Sequence, residues 1–378
     1  MAAILFVMKY PLHRQENLKS KFDGQIAAVN ALGYEAYVIG WDHDGFWLTG
    51  GGGRSLLLKS RHTHMPGYDH TLIFVELMTA VTAALSLREF AVLYLRYMPT
   101  FRGVVAAMKA LKAQGGKLVV EFPTYPRERE NRRFLLRRPV FAYTDRVLRR
   151  IHPLVDLYTV IGEPCNGSID GRPAINIMNG VDVRQFPLHA PNPQQAAIHM
   201  LALASMTESQ GYDRIIRAMA AYPGLKQVWL HMVGGDGDGS LAKWKKLAAE
   251  LGLGSQVMFH GPLYGDALDK VVAGCDVGIG SLAMFRFGLR RGTPLKIREY
   301  MARGIPFLFA ADDPTIPENP DFCLKVPHDE SLVDMERVVA FAKRVKANPQ
   351  VPAEMRAYTK THLSWESVMQ VVLGGLEV

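Results

Sequence analysis

Cysteine is scarce in this sequence, and its spacing argues against two structural roles. The three residues, Cys165, Cys275 and Cys323, lie far apart, are odd in number and form no C-x-x-C pair. This pattern favours neither a disulfide framework nor a zinc site, and it fits a protein that is kept in a reducing compartment.

Long apolar runs are also missing. No segment approaches the roughly 20 consecutive apolar residues that a membrane-spanning helix requires. The apolar opening, Met1 to Met8, has no basic region ahead of it and no small-residue cleavage site, so we interpret it as a first buried strand. We therefore expect a cytoplasmic protein whose contact with a membrane is peripheral.

Charge of one sign is in excess. Forty-four Lys and Arg against 36 Asp and Glu give a formal net charge of +8, which favours an anionic partner. Between Arg132 and Arg150, arginines alternate with apolar residues, as in a basic helix that lies on an anionic membrane surface. A solvated helix face beside an acidic neighbour explains the same pattern. We expect no nucleic-acid binding, because no recognised module accompanies the basic residues.

The order of the apolar runs predicts the fold. A chain of 378 residues exceeds what a single core usually fills, so two domains are expected. Short apolar runs alternate with segments of helical spacing, which is typical of βαβ units and parallel sheets. We predict an α/β protein of two Rossmann-like, doubly wound domains that face each other across a cleft. Strands are predicted at residues 4–8, 36–39, 72–76, 92–96 and 117–122, and then at 199–204, 227–233, 256–260, 277–281 and 306–309.

Prolines set the predicted domain boundary. After the apolar run that ends at Met178, Pro187, Pro191 and Pro193 interrupt regular structure in the manner of a linker. We predict a first domain at residues 1–185, a second at 186–360, and a C-terminal helix at 361–378 that packs back on the first domain.

The segment from Ser281 to Pro306 is the most informative for function. It places Arg286, Lys296 and Arg298 after a predicted strand and around the start of a helix, where backbone N–H groups also attract anions. A diphosphate would be well held there. Glu299 is a single carboxylate in this basic segment, and a carboxylate that accepts two hydroxyl protons commonly binds a ribose diol. The alternative is that Glu299 only balances the arginines.

Five segments together resemble one enzyme family. They are E-F-P-T-Y-P at 121–126, N-G-V-D-V-R-Q-F at 179–186, S-M-T-E-S-Q-G-Y-D-R-I at 205–215, H-M-V-G-G-D-G at 231–237 and L-K-I-R-E-Y-M-A-R-G-I-P at 295–306. In this order they resemble GT-B fold glycosyltransferases of family 4, also called glycosyltransferase group 1, in the branch that makes capsules and exopolysaccharides. The resemblance implies a hexosyltransferase-type enzyme with an acceptor-binding first domain and a nucleotide-sugar-binding second domain.

The resemblance also implies roles for single residues on the donor side. Glu299 would bind the ribose, Lys296 and Arg286 the diphosphate, and His260 and Leu263 would lie at the nucleobase. The full set of donor-binding residues that it implies is Gly24, Ser205, Gly211, Gly234, Gly235, His260, Leu263, Ser281, Arg286, Lys296 and Glu299.

Candidate catalytic residues are Glu121, Tyr125 and Arg286. Glu121 and Tyr125 close a predicted strand, and α/β sheets bind ligands beyond the carboxyl ends of their strands, so both could face the acceptor. Glu121 would then act as a general base, although a structural hydrogen bond to a loop N–H is an equal alternative. Gly24 lies with Lys21 just before a predicted helix, where GT-B proteins approach the donor phosphates from the opposite side.

Two departures from the family pattern matter. Arg291 stands where members usually carry a second Glu, eight positions before Glu299, so retention of anomeric configuration, which the family implies, is left open. Ser205 and Gln210 stand where an Arg and a Lys are common. Arg286 is the candidate for the missing positive charge.

The resemblance implies no cofactor and no metal ion, with a UDP- or GDP-linked sugar as co-substrate. The D-x-D patterns at 42–44 and 236–238 match metal-dependent transferases by letter only. The expected acceptor is a glycan or a lipid-linked oligosaccharide at the inner face of the cytoplasmic membrane. Two alternatives are a non-catalytic GT-B partner subunit that binds a nucleotide sugar, and a nucleotide-sugar epimerase.

Overall fold

The structure, a computed structural model, describes residues 1–13, 18–65, 67–68, 72–98, 103–126, 138–318 and 320–376. The chain forms two compact units. The first unit comprises Met1–Met178 together with Trp365–Val378, and the second comprises Asn179–Ser364. The chain therefore passes between the units at residues 178/179 and again at 364/365.

The first unit is built on a mixed sheet. Its described strands are β1 (Ala3–Pro11), β2 (Glu35–Trp41), β3 (Gly45–Gly50), β4 (Gly53–Lys59), β5 (Val92–Arg96), β6 (Lys117–Tyr125), β7 (Leu157–Gly162), β8 (Ser168–Ile169) and β9 (Arg172–Asn176). They lie in the order β4-β3-β2-β1-β5-β6-β7-β9-β8. The pairs from β2 across to β9 are parallel, whereas β3, β4 and β8 join in antiparallel fashion.

The centre of this sheet explains the apolar opening of the chain. Strand β1 pairs in parallel with β2 on one side and β5 on the other, so helices can cover both of its faces. From Ile4 to Val7 every side chain is fully buried. The run predicted as a first buried strand is therefore the middle of the first core.

The helices of the first unit flank this sheet. They include α1 (Lys19–Ala31), α2 (Leu72–Leu87), α3 (Gly103–Ala113) and α4 (Arg138–Ile151). The prediction of a strand at residues 72–76 is wrong, because that segment is the first turn of α2. A five-residue apolar run does not distinguish strand from helix, and here the apolar spacing continues at helical period to Leu85, which is buried.

The second unit carries a parallel sheet. Its described strands are β10 (Ile198–Leu203), β11 (Val228–Val233), β12 (Val257–Gly261), β13 (Val277–Ile279), β14 (Phe307–Phe309) and β15 (Cys323–Lys325). They lie in the order β12-β11-β10-β13-β14-β15, and every neighbouring pair is parallel. This is the strand order of a Rossmann fold, and it reverses direction between β10 and β13, where such sheets bind ligands.

Helices cover both faces of the second sheet. They are α5 (Tyr212–Ala221), α6 (Ser240–Glu250), α7 (Gly265–Ala273), α8 (Leu295–Arg303), α9 (Met335–Lys346) and α10 (Val351–His362). One core lies under α5 and α9 and includes Met219 and Val338. Another lies under α8 and α10 and includes Met301 and Met355. Both units are thus α/β layers, around a mixed but mainly parallel sheet in the first unit and a parallel sheet in the second, and the α/β class is as the sequence predicts.

The last described helix, α11 (Trp365–Gly374), belongs to the first unit and packs on α1. The contact is made by Trp365, which is buried against Gly24. A Cβ atom added to Gly24 would lie 2.2 Å from Cδ1 of the Trp365 indole, so only glycine fits under this ring. The ammonium of Lys21 lies 5.7 Å from the centre of the same ring.

Helix α4 is amphipathic and basic. It buries Val147 and Ile151 in the first core and leaves one face exposed. Three arginines lie on that exposed face: Arg146, Arg149 and Arg150. Residues 127–137, which hold Arg132, Arg133 and Arg137 of the predicted basic segment, lie outside the described residues. In the described part of the chain, no helix has both the length and the apolar composition needed to cross a bilayer.

Candidate functional site

The loops that leave β10 and β13 meet at the strand-order reversal of the second sheet. Ser205 follows β10 and is exposed, and Ser281 follows β13 and is buried. Because ligands of open α/β sheets bind beyond the carboxyl ends of the strands at this reversal, the two serines mark the candidate site.

Gly211 shapes the loop between β10 and α5. Its φ angle is +64°, in the left-handed region, and an added Cβ would lie 2.6 Å from Cβ of Ala283. A side chain at this position would be strained and would collide with the neighbouring loop. Gly211 also caps α5 directly, so the positive end of that helix dipole opens at the candidate site.

The two loops are joined by backbone hydrogen bonds. The N–H of Leu282 donates to the carbonyl of Gln210 (2.9 Å), and the N–H of Ala283 donates to that of Ser209 (3.2 Å). Beneath them the buried guanidinium of Arg214 donates to three carbonyl oxygens, those of Leu282, Pro327 and Ser331. Arg214 is not among the predicted site residues. Its carbonyl partners lie far away in the sequence, so only the fold shows that it supports the loop.

Gln210 is the polar centre of the site. Its Oε1 accepts from the hydroxyl of Ser281 (2.9 Å) and from the ammonium of Lys296, and its Nε2 donates to Thr207 Oγ1 (3.3 Å). The ammonium of Lys296 also donates to the hydroxyl of Tyr212 (2.9 Å). The ammonium of Lys296, from the first turn of α8, thus lies beside Gln210, at whose position the resembled family commonly has a lysine.

Lys296 has neutral partners only. Among the described residues, no carboxylate forms an ion pair with it. Burial lowers the pKa of Lys296 to about 7, because the charged amine has lost water without gaining a counter-ion. An anion placed here would supply the missing counter-charge and favour the ammonium form.

Arg286 is held by acidic partners. Its guanidinium donates to both carboxylate oxygens of Glu330 (2.6 and 2.8 Å) and of Asp213 (2.8 and 3.0 Å). Hydrogen bonds to Glu330 and then to Asp213 raise the pKa of Arg286 above its usual range. In this conformation Arg286 does not supply the charge expected of it, because that charge is already neutralised.

Glu299 lies one turn beyond Lys296 on α8. Its Oε1 accepts from Nε of Arg303 (2.8 Å), and no described residue is hydrogen-bonded to its Oε2. Burial raises the pKa of Glu299, although the nearby Arg303 acts in the opposite direction. The side chain is 20% exposed, so one carboxylate oxygen is available to a hydroxyl group.

The glycine-rich loop after β11 and the end of β12 lie beside the same edge. The N–H of Gly234 donates to the carbonyl of Gly261 (2.8 Å), and the carbonyl of Gly235 accepts from Met206 (2.8 Å). His260 is half-buried near the end of β12, and Leu263 follows it and packs against the core. Gly234, Gly235, His260 and Leu263 therefore lie at the carboxyl edge of the same sheet as the loops that follow β10 and β13.

Gly24 has a packing role within the first unit. It lies in the first unit, where the indole of Trp365 covers its Cα, so the glycine is required for the packing of α11 on α1. This packing role explains why the residue is a glycine, and the approach of Gly24 to the donor phosphates stays a prediction.

Glu121 lies inside the first unit. Its carboxylate accepts from Lys21 (2.8 Å), from Arg96, from Tyr94 (2.6 Å) and from Gln25 (3.2 Å), and the residue is 1% exposed. Burial alone would raise the pKa of Glu121, but Lys21 and Arg96 lower it to about 2. A carboxylate with four partners and this pKa is a poor proton acceptor, so a general-base role for Glu121 does not fit this conformation.

Tyr125 ends strand β6, four residues beyond Glu121. It is half-buried, and its backbone carbonyl accepts from the N–H of Glu163 (3.1 Å). The structure thus separates the two candidates of this strand, because Glu121 lies in the core while Tyr125 lies at the carboxyl edge.

Arg298 and Arg291 also belong to the Ser281–Pro306 segment, whose composition suggests a cluster of positive charge around a diphosphate. Arg298 is buried; its Nη2 donates to both carboxylate oxygens of Asp313 (2.9 and 3.0 Å), and its Nε donates to the carbonyl of Asn179 (2.9 Å). Arg291, at the position of the missing Glu, is exposed and bridges to Asp312 through its backbone. Arg298 is a structural residue of the core.

The D-x-D segments have structural roles. Asp236 accepts from the N–H of Gly239 (2.9 Å), and Asp238 accepts from the N–H of Glu208 (3.0 Å). Asp42 accepts from the indole of Trp47 (2.9 Å). Across the described ranges, no group of three or more His, Cys, Asp or Glu side chains has an arrangement that could hold a metal ion.

Solved structures with the same fold are glycosyltransferases of the GT-B class. Sucrose-phosphate synthase from Thermosynechococcus elongatus superposes with a TM-score of 0.64 at 15% identity, over 100% of this chain and 98% of that one. HepE from Anabaena, in complex with UDP, gives 0.63 at 12% identity over 100% of both chains. WaaG, a glycosyltransferase involved in lipopolysaccharide biosynthesis, gives 0.58 at 14% over 98% of this chain and 100% of that one.

Sequence comparison finds a family similarity for part of the second unit. Residues 190–319 match the family model of glycosyl transferases group 1, whereas no curated protein sequence matches the chain. The matched segment holds the whole candidate site from Ser205 to Glu299. Residues 190–319 are thus similar to glycosyl transferases group 1, and the chain has the fold of GT-B glycosyltransferases.

Proposed function

We propose that the chain transfers a sugar from a UDP-linked donor to a glycan or lipid-linked acceptor in the synthesis of a cell-surface polysaccharide. The observation that carries the donor assignment is the ammonium of Lys296. It lies at the carboxyl edge of the second sheet among neutral partners, Gln210 and Tyr212, and lacks a described carboxylate partner. A diphosphate is the chemical group that completes this arrangement.

The other proposed donor contacts lie at the same carboxyl edge of the second sheet. The opening turn of α5 after Gly211 faces the diphosphate with its positive helix end, and Oε2 of Glu299 accepts a ribose hydroxyl. UDP is the first nucleotide to test, since the structurally similar HepE has been solved with UDP and with UDP-glucose.

Transfer requires that the charge that develops on the departing diphosphate is stabilised. We assign this to Lys296 and the N-terminus of α5, with Arg286 joining if it exchanges Glu330 for phosphate. These groups do the work without a metal ion, and the family resemblance favours retention of anomeric configuration. Activity in excess EDTA equal to that without it is the expected result.

The acceptor is assigned to the first unit. Tyr125, at the carboxyl end of β6, is the candidate acceptor contact, and the exposed arginines of α4 fit an anionic membrane surface that presents a lipid-linked acceptor. We expect the chain to co-sediment with phosphatidylglycerol vesicles and not with phosphatidylcholine vesicles. Equal sedimentation with both would remove the membrane part of the proposal.

The deciding experiment measures release of free nucleoside diphosphate from UDP-, GDP- and dTDP-sugars, with the wild type and with Glu299→Gln. Release from UDP-sugars that falls about tenfold or more in the variant supports the donor site. Binding of UDP without release in the presence of acceptors favours a non-catalytic partner subunit. Interconversion of free sugar nucleotides without transfer favours an epimerase.

A further inference from the structure

Three histidines form a continuous hydrogen-bonded row across the second sheet. Nδ1 of His199 lies 2.9 Å from Nε2 of His231, and Nδ1 of His231 lies 3.1 Å from Nε2 of His260. The rings of His231 and His260 are stacked, with their centres 5.3 Å apart, and His199 stacks on Trp229. Each ring is half-buried.

The strand register makes the row diagonal. Leu201, two residues after His199, pairs with His231, which itself pairs with Met258, two residues before His260. His199 therefore lies near the start of β10, His231 within β11, and His260 near the end of β12. The row runs from the amino edge of the sheet to the carboxyl edge, where the candidate donor site lies.

The protons of the row are coupled. A neutral imidazole has one nitrogen that donates and one that accepts, so each N···N contact must contain one proton and no more. Burial, followed by the two flanking histidines, lowers the pKa of His231 to about 4, so the central ring is neutral at pH 7. Two arrangements then satisfy both contacts, and they run in opposite directions.

The two arrangements differ at His260. If His199 donates to His231 and His231 donates to His260, then Nε2 of His260 accepts and the ring proton of His260 lies on Nδ1. If the direction is reversed, Nδ1 of His260 is a bare acceptor. No described residue is hydrogen-bonded to this Nδ1, so it is open to a ligand.

We propose that His199 and His231 are positioning residues that set, through this proton row, whether His260 donates or accepts a hydrogen bond at the base of the bound nucleotide. The inference rests on the donor site proposed above. A uracil presents a carbonyl acceptor at O4, whereas cytosine presents an amino donor at the same edge. A row directed from His199 to His260 therefore selects uracil over cytosine.

The test is the nitrogen spectrum of the histidines in the full-length chain. With 15N-labelled histidine, addition of UDP is expected to move Nδ1 of His260 and Nδ1 of His199 together toward the protonated form. His152 in the first unit, whose Nδ1 lies 2.9 Å from the hydroxyl of Tyr158, is the matched control and should not respond. A response of His260 without one of His199, or of neither while UDP binds, overturns the proposal.

Variants at His199 test the consequence. His199→Phe keeps a ring on Trp229 but removes the donor, so the preference for UDP over CDP should fall about fivefold, which is the effect of one hydrogen bond. His199→Asn places an amide nitrogen near the position of Nδ1 and should restore most of that preference. Loss in both variants, with an unchanged spectrum of His260, points to packing alone and contradicts the row.

One outcome separates this inference from the proposed function. If UDP does not bind at all, the uridine donor is wrong, and the wild type and His199→Phe are then compared without nucleotide. A change in the tautomer ratio of His260 supports the coupled row. Identical His260 nitrogens in the two proteins overturn it.

Discussion

Lys21 in the first unit and the half-buried Lys296 in the second unit both have a lowered pKa, but the two lysines have opposite surroundings. Lys21 forms an ion pair with Glu121 in the first unit, where Arg96 and Tyr94 complete the set. Lys296 in the second unit contacts only the neutral oxygens of Gln210 and Tyr212. Burial lowers the pKa of both lysines, to about 8 for Lys21 and about 7 for Lys296.

The difference separates a structural cation from a binding cation. The charge of Lys21 is balanced within the fold, so its removal or that of its partner should damage the fold. The charge of Lys296 is not balanced by any described carboxylate, so it is a cost to the free protein and a gain once an anion is bound. Buried charge alone therefore does not identify a site; the missing counter-charge does.

The sharpest test of this comparison is Lys296→Met. We expect release of nucleoside diphosphate from UDP-sugars to fall about 10²- to 10³-fold, because a preorganised donor to the leaving group is lost. The unfolding temperature of the second unit should be unchanged or slightly higher, since a half-buried cation without a counter-charge is removed. Lys245→Met, on an exposed face of α6, is the matched control and should keep full activity.

The counterpart in the first unit is Glu121→Gln. It leaves Lys21 and Arg96 without their carboxylate, and breaking such a buried pair destabilises by about 3–5 kcal/mol. We expect the urea midpoint of the first unit to fall, while UDP affinity stays at the wild-type value. Wild-type stability together with lost UDP binding would reverse the comparison.

Acid should act through the same residue. The pKa of Glu121 is about 2 in the folded protein against an ordinary 4.5, so the folded state binds fewer protons than the unfolded state. Its contribution is therefore complete above about pH 4.5 and is lost as the pH falls toward 2. In urea unfolding between pH 5 and pH 3, the free energy of unfolding of the wild type should fall as the pH falls. The decrease should be smaller in Glu121→Gln.

Alkali should weaken UDP binding through Lys296. Because its pKa is about 7 in the free protein, the ammonium that binds diphosphate is lost as the pH rises above 7. UDP affinity should then fall by up to about tenfold per pH unit, measured by calorimetry between pH 6.5 and 9. Lys296→Arg keeps its charge over this range and should bind with a flat profile. A flat profile in the wild type would show that Lys296 is not the titrating group.

The smallest effect is expected at Arg286. Glu330 is exposed and pairs with Arg286, and in our proposal it competes with a phosphate for that guanidinium, so Glu330→Gln should raise UDP affinity about two- to fivefold, within the range of a surface ion pair. Glu336→Gln, on the first turn of α9, is a charge-matched control. A loss of affinity in Glu330→Gln would mean that the pair positions Arg286 for binding instead of restraining it.

Much of the fold could be predicted from the sequence because buried parallel strands are continuous apolar runs. The predicted strands of the second unit, such as 227–233, coincide closely with the observed ones, here β11 (Val228–Val233). The strand prediction for residues 72–76 is wrong because an apolar run of five residues fits a strand and a helix equally well. The α/β class and the family resemblance were recognisable because both depend on local runs and motifs.

The candidate site was predictable by location and not by role. Arg286, Lys296 and Arg298 look alike in the sequence, and only the fold shows that Asp213 and Asp313 neutralise the two arginines. Gly24 looked like a loop glycine because its partner, Trp365, lies more than three hundred residues away in the chain. The histidine row is invisible for the same reason, since strand register alone brings its members together.

The position of α11 has a consequence for synthesis on the ribosome. Because Trp365 follows the entire second unit in the chain, the groove above Gly24 stays empty while the second unit is already able to fold. The first unit therefore completes its core only after nearly two hundred further residues, Asn179–Ser364, have been translated. A nascent chain stalled after Ser364 should expose this apolar groove to chaperones, and a synthetic peptide of residues 365–376 should close it again.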